Sequence, residues 1–170
     1  LSMVRLAAAA EMWLGKPVIA INTATWWHAL RANGITDKMD GVGRLMAEDL
    51  KELGITVNCV PVLDVPQPDA HEVIGSRAYS SGRDQIMVLA RAQVAGFLDG
   101  GVLPVIKHIP GHGRAKADSH LSLPVVEASR KELAAHDFPP FAAFADAPMA
   151  MTAHVVYTAL DKEAPATVSA

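Results

Sequence analysis

The sequence predicts an α/β protein with parallel strands and flanking helices, arranged as a partial (β/α)8 barrel of about four βα units. Strand and helix patterns alternate along the chain at intervals that suit βαβ crossovers, which require parallel strands. The predicted strands are apolar throughout, as expected when both faces of a sheet are covered. A full barrel needs eight strands in roughly 250 residues. The chain has 170 residues, so we expect either part of a barrel or an open α/β sheet.

Four helices are predicted from alanine-rich or amphipathic composition and from capping residues. They span 5–14, 37–53, 84–98 and a segment that begins at Ser129 and is interrupted by Pro139-Pro140. Thr36-Asp37 offers an N-cap for the second helix, and Gly54 follows that helix as a C′ glycine. Ser129 and Glu132 form a capping box at the start of the fourth helix.

Four strands are predicted from short apolar runs that are rich in β-branched residues. They span 17–21, 55–65, 102–106 and 149–157. Polar side chains stand at or near the carboxyl ends of the last three, namely Asp64, Lys107, His108 and His154. In a (β/α)8 barrel the chemistry takes place at that end of the strands. Asp64 interrupts an apolar run, so it is either solvated or a buried partner for a cation, and the second interpretation is favoured.

The composition is 51% apolar and 19% charged, which suits one ordinary hydrophobic core. The formal net charge of −3 provides no basic stripe, so neither a nucleic acid nor a membrane partner is expected. No apolar run approaches the roughly 18 residues that span a bilayer, and no basic segment precedes the apolar N-terminus as in a secretory signal. The single cysteine, Cys59, excludes an intrachain disulfide and suits a reducing compartment. Because the first residue is Leu1, we expect the chain to be an excerpt of a longer protein.

The loop after the third strand contains most of the titratable side chains that indicate chemistry. Asp118 and His120 are two residues apart, a spacing at which the carboxylate accepts a hydrogen bond from the imidazole. That pairing favours His120 as a general acid and base near neutral pH. Lys107 and His108 leave the strand on opposite faces and suit the binding of hydroxyls or of an anionic group.

Two other chemistries fit the same loop less well. A metal site would take its ligands from His108, His112, His120 and Asp118. Structural zinc sites usually contain cysteine, and no H-E-x-x-H helical pair is present. A serine nucleophile at Ser119 or Ser122 would need a G-x-S-x-G turn, which the loop lacks. A metal-dependent hydrolase therefore stays as an alternative of lower rank.

The stretch Lys107-His-Ile-Pro-Gly-His-Gly113, followed by Asp118-Ser-His120, closely resembles the signature of glycoside hydrolase family 3. More narrowly, it is similar to the bacterial β-N-acetylhexosaminidase branch, which acts in cell-wall peptidoglycan recycling. Pro61-Val-Leu-Asp64 and Pro165-Ala-Thr167 support the resemblance. The resemblance covers 42–170 as a truncated barrel segment of the family and leaves 1–41 as an atypical segment without a family match.

The resemblance implies a (β/α)8-type barrel and retaining hydrolysis of terminal β-linked N-acetylglucosamine. The implied substrate is a muropeptide or oligosaccharide that contains this sugar. His120 matches the family's acid/base histidine and Asp118 its partner, whereas most retaining glycosidases use two carboxylates. No metal or organic cofactor is implied, and family members of this kind are cytoplasmic.

Five further residues are expected around the sugar. The family's sugar-binding positions match Arg77, Lys107 and His108. Asp64 and His154 are expected as supporting residues behind them.

The chain departs from the family pattern in two places. The family's nucleophile is an aspartate C-terminal to the Pro-Ala-Thr segment, and no residue of this chain matches it. An early motif with an aspartate and an arginine is also absent from residues 1–40. Low activity is therefore expected for these residues alone, since a double displacement requires a nucleophile. The alternative is a non-catalytic or engineered half-barrel that binds sugar or self-associates through open sheet edges.

Overall fold

The computed structural model describes residues 42–169. The helical segments are α1 (Val42–Glu52), a 3₁₀ turn (Gly75–Arg77), α2 (Arg83–Asp99), α3 (Arg130–Glu132), a π turn (Leu133–Asp137) and α4 (Phe138–Ala142). The strands are β1 (Val57–Asn58), β2 (Leu103–Ile109), β3 (Val125–Val126), β4 (Met149–Thr152) and β5 (Val156–Tyr157). The predicted helix over 5–14, the strand over 17–21 and the N-cap at Thr36-Asp37 lie outside the described residues.

The described residues form two compact units. The first comprises 42–58 and 92–103, and the second comprises 59–91 and 104–169. All the candidate site residues belong to the second unit.

In the first unit, α1 ends at the predicted glycine. Gly54 has a φ of 78°, and the Ile55 amide donates to the Leu50 carbonyl at 2.9 Å. This is the left-handed helix end that glycine favours. Two glycines of this unit lie very close together, because a Cβ atom on Gly96 would lie 2.8 Å from the Gly43 Cα atom.

The chain is an α/β protein with parallel strands, as the sequence predicts. β2 pairs with β4 in one sheet, and β3 pairs with β5 in a two-stranded one. The β2–β4 and β3–β5 pairs are parallel. Along β2, Lys107 faces Met151 and Ile109 faces Thr152, so the register skips His108. Such an irregularity changes the direction of a side chain at the end of a strand.

Two of the predicted strands are shorter in the structure. Within 55–65, only β1 and a single parallel bridge between Val62 and Lys107 have strand geometry. Pro61 has no N–H to donate to a ladder, which limits pairing at that point. The predicted strand over 149–157 is divided into β4 and β5, which pair with different partners. The two-residue strand β3 was not predicted.

The C-terminal helical region confirms its predicted start and corrects its predicted break. Ser129 and Glu132 form the capping box, with Glu132 Oε2 accepting from the Ser129 amide at 2.8 Å. Pro139-Pro140 was expected to interrupt the helix, but it lies inside α4, directly after the π turn. The wider turn accommodates proline because proline has no N–H to donate. The Ala135 carbonyl, which would accept from residue 139 in an α-helix, accepts from Arg83 instead.

A buried apolar cluster in the second unit lies beneath the loop that follows β2. Its members are Ala115, Val126, Leu133, Ala153, Val155 and Tyr157. Tyr157 also donates its hydroxyl to the Gly111 carbonyl at 2.8 Å, which ties the loop to this cluster. Over the part of the chain that the structure describes, no helix is long and apolar enough to cross a membrane.

Gly96→Ala should destabilise the protein by about 1–3 kcal/mol, the usual result of adding a methyl group where nothing can give way. The new Cβ would lie 2.7 Å from the Arg44 amide nitrogen, which belongs to the backbone of α1. Urea denaturation measures the change. Ala95→Ser, on the exposed side of the same helix, is the matched control and should stay within about 0.5 kcal/mol of wild type. Equal stability of the two variants would contradict the close approach.

Candidate active site

A buried carboxylate organises the carboxyl end of β2. Asp64 is 0% exposed and follows the buried run Pro61–Leu63. It accepts from the His108 ring at Nδ1 (2.7 Å) and from the backbone amides of His108 (3.2 Å) and His112 (2.7 Å). Asp64 is therefore buried behind the loop, and its partners are a histidine ring and two amides where the sequence favoured a cation.

The candidate sugar contacts lie at the end of β2 and beside it. His108 has its Nδ1 held by Asp64, which leaves Nε2 as the free ring nitrogen. Burial lowers the pKa of the Lys107 ammonium, and the nearby Arg77 charge lowers it further, while Asp64 acts in the opposite direction. Arg77 is exposed and donates to the Val73 carbonyl. The charges of Arg77 and Asp64 both act on the Lys107 ammonium, and His108 contacts Asp64 directly.

The predicted Asp118–His120 contact is present in the structure. The His120 ring Nδ1 is 2.7 Å from Asp118 Oδ1, and the same oxygen accepts from the His120 amide at 2.9 Å. These two hydrogen bonds, the backbone one first, lower the pKa of Asp118. The His120 side chain is 77% exposed, so its Nε2 is open to an incoming molecule. The catalytic role of the pair stays a prediction.

Two contacts that frame the loop were not predicted. The Arg114 guanidinium donates from Nε to Asp137 Oδ2 at 2.8 Å, and Asp137 is buried. Burial raises the pKa of Asp137 even though Arg114 acts to lower it. The sequence offered one signal, an aspartate in an apolar segment ahead of two prolines, but nothing in it identified Arg114 as the partner.

The second unpredicted contact joins His112 to the acid/base region. His112 Nε2 is 3.1 Å from the Ser119 hydroxyl, and Ser119 lies between Asp118 and His120. The His112 ring also makes an edge contact with the His108 ring, with 5.7 Å between centroids. The sequence indicates His112 as a member of a possible metal ligand set and of the family signature, and neither predicts its contact with Ser119.

His154 has a different hydrogen-bond partner. It is exposed, and its Nδ1 is 3.4 Å from the Thr167 hydroxyl. Thr167 donates in turn to the Ala153 carbonyl at 3.3 Å. The sequence places Thr167 in the Pro-Ala-Thr motif, and the structure gives it a contact with His154.

The histidines of the loop are divided between two carboxylates. His108 contacts Asp64, and His120 contacts Asp118. Among residues 42–169, no three His, Cys, Asp or Glu side chains form a group that could hold a metal ion.

The chain belongs to glycosyl hydrolase family 3, because the model of that family's N-terminal domain matches residues 17–170. The match begins inside the 1–41 segment that the motif resemblance left unassigned. A beta-hexosaminidase of Alkalilimnicola ehrlichii is 43% identical over 130 residues, which are 75% of this chain and 37% of that protein. One of Idiomarina loihiensis is 37% identical, again over 37% of its length. The chain therefore spans somewhat more than a third of these curated relatives.

A solved structure gives the same result. NagZ from Neisseria gonorrhoeae, in complex with N-trifluoroacetyl-D-glucosamine, matches with a TM-score of 0.68 and 37% identity over 73% of this chain and 37% of that chain. The relationship therefore holds in three dimensions as well as in sequence.

His112 predicts a pH dependence of stability. Burial lowers the pKa of its ring, Asp64 opposes this, and the His108 and Arg77 charges add to the lowering. The unfolded chain binds this proton at about pH 6.5 and the folded chain only at lower pH, so stability is lost as the pH falls below about 6.5. The melting temperature should fall between pH 7 and pH 5, and less steeply in His112→Gln. Parallel slopes for the two proteins would show that His112 is not responsible.

Proposed function

We propose that the chain provides the acid/base pair, Asp118 and His120, and the sugar contacts of a retaining β-N-acetylhexosaminidase. Its substrates would be peptidoglycan fragments that end in β-linked N-acetylglucosamine, in the cytoplasm. The observation that carries the proposal is the Asp118–His120 hydrogen bond of 2.7 Å on an exposed loop. Membership in glycosyl hydrolase family 3 supports it, as does the glucosamine derivative bound by the Neisseria relative.

The acid/base pair would act in both halves of the reaction. With Asp118 holding Nδ1, His120 would give a proton from Nε2 to the glycosidic oxygen as the bond to the leaving group breaks. In the second half, the same nitrogen would take a proton from the water that attacks the sugar at C1. Asp118 would stabilise the positive imidazolium in the intervals when His120 is protonated.

The sugar contacts would hold the ring at the end of β2. Asp64 holds the His108 ring at Nδ1 and also the His108 amide, so the ring Nε2 would be the acceptor for a sugar hydroxyl. Lys107 and Arg77 would donate to further hydroxyls. His154, held by Thr167, would lie at the edge of this group.

The covalent step would require an aspartate that the motif comparison does not find in this chain. Asp64 does not fill that role, because it is fully buried and its oxygens accept from His108 and His112. In the proposed assembly, the described strands belong to a (β/α)8 barrel whose other part brings the nucleophile to the opposite face of the sugar. These residues alone would then bind the sugar and turn it over slowly.

A second candidate is a half-barrel that associates with itself. β4 pairs with β2 and, among the described strands, with no other. Its Met149 and Met151 are 41% and 37% exposed, which is unusual for a strand of a covered parallel sheet. Dimers by analytical ultracentrifugation without sugar binding would favour this candidate.

Titration with N-acetylglucosamine, followed by amide NMR, tests the proposal. Signals of Lys107 and His108 should shift, and His108→Ala should weaken binding at least tenfold, or about 1.4 kcal/mol. The matched control is His136→Ala, an exposed histidine on the π turn, which should bind as wild type does. Equal binding by both variants would refute the role of His108.

Hydrolysis of 4-nitrophenyl N-acetyl-β-glucosaminide tests the nucleophile argument. The chain alone should release nitrophenol at a rate near that of His120→Ala, because acid catalysis without a nucleophile gives little turnover. Brisk hydrolysis that disappears in His120→Ala would show that a nucleophile is present after all, and would contradict the expectation of low activity.

A further inference from the structure

The segment 117–123, here called the acid/base loop, is anchored at both ends. On its N-terminal side, the Gly113 and Ala115 carbonyls accept from the amides of Gln67 (2.9 Å) and His71 (2.8 Å). On its C-terminal side, the Pro124 carbonyl accepts from the Val156 amide at 2.9 Å, next to the β3–β5 pair. The backbone is therefore held by hydrogen bonds on both sides of the loop that contains Asp118 and His120.

Inside the loop, the backbone contacts are local. The amides of Leu121 and Ser122 both donate to the Asp118 carbonyl at 3.0 Å, which forms a turn within the loop. The Asp118–His120 bond is local as well. These contacts keep the loop's own shape, but they do not fix its position against the rest of the protein.

One side chain of this loop has a described contact with a buried residue. It is Ser119, and its partner is His112. His112 is only 4% exposed, and its amide is held by Asp64 at 2.7 Å. Its Nε2 reaches the Ser119 hydroxyl at 3.1 Å. Because Asp64 also holds His108, the same carboxylate positions a candidate sugar contact and the support of the acid/base loop.

The direction of this hydrogen bond follows from the other ring nitrogen. His112 Nδ1 is buried and has no hydrogen-bond partner among the described residues. A buried N–H without an acceptor costs more than a bare lone pair. The neutral ring therefore has its proton on Nε2 and donates it to Ser119.

We propose that His112 is a positioning residue, whose buried ring holds Ser119 and thereby sets where the Asp118–His120 pair stands relative to the sugar contacts. The proposal rests on the proposed function for its biological meaning. Ser119 is bonded covalently to both members of the pair, so a hold on its side chain restrains both neighbours. Without the contact, the pair would stay hydrogen-bonded and the loop would move as a unit between its anchors.

Backbone ¹⁵N relaxation of wild type, Ser119→Ala and Ser119→Thr tests the proposal. Order parameters of Asp118–His120 should be about 0.85 in wild type, fall below about 0.6 in Ser119→Ala, and recover in Ser119→Thr, which keeps the hydroxyl. Those of Gly113–Lys116, on the anchored side, should not change. The melting temperature should fall modestly in Ser119→Ala, because the His112 Nε2–H loses its acceptor while the apolar cluster is untouched, and it should recover in Ser119→Thr.

The ring nitrogens of His112 give a second readout. Their ¹⁵N shifts should show the Nε2–H form in wild type, and His112→Gln, whose side-chain amide donates from a similar place, should keep the loop ordered. Unchanged order parameters in Ser119→Ala would overturn the proposal, whereas an Nδ1–H form of His112 in wild type would reverse only the direction of the hydrogen bond. Loss of order in Ser119→Ala would support it even if N-acetylglucosamine failed to bind, a result that refutes only the proposed function.

Discussion

The second unit depends on how the chain satisfies one buried carboxylate. An ion with no exposed surface loses its hydration, at a cost of several kcal/mol, unless donors replace the water. Asp64 has three such donors, one imidazole and two backbone amides. The two amides belong to His108 and His112, so meeting this need fixes the backbone on both sides of Ile109–Gly111. The Gly111 φ of 134° is part of the resulting turn, which glycine adopts at low cost.

Three histidines in this region have different partners and therefore different roles. His108 receives its orientation from Asp64 at Nδ1, which leaves Nε2 for another partner. His112 uses the same carboxylate only through its backbone, so its ring reaches the acid/base loop at Ser119. His120 depends on neither, because Asp118 is its local partner. A binding group, a support and an acid/base group can therefore stand close together without competing for one carboxylate.

Features that depend on neighbours in sequence were predictable, and those that depend on distant segments were not. The Gly54 helix end, the Ser129 capping box and the Asp118–His120 contact each involve residues within a few positions. The Asp64–His108 contact joins residues 44 positions apart, and the Arg114–Asp137 pair crosses 23. No periodicity encodes such partners. The break expected at Pro139-Pro140 failed for a similar reason, since Arg83, far along the chain, satisfies the carbonyl that proline leaves free.

The tautomer of His108 tests the central role of Asp64 most directly. A carboxylate only accepts, so the His108 ring should be protonated on Nδ1, with Nε2 bare. Ring ¹⁵N spectra of wild type should show this form, and Asp64→Asn, which presents an N–H donor beside its single remaining acceptor, should shift the ring toward the Nε2–H form. His120, with its own partner Asp118, is the internal control and should not change. An Nε2–H form of His108 in wild type, or the same form in both proteins, would contradict the account.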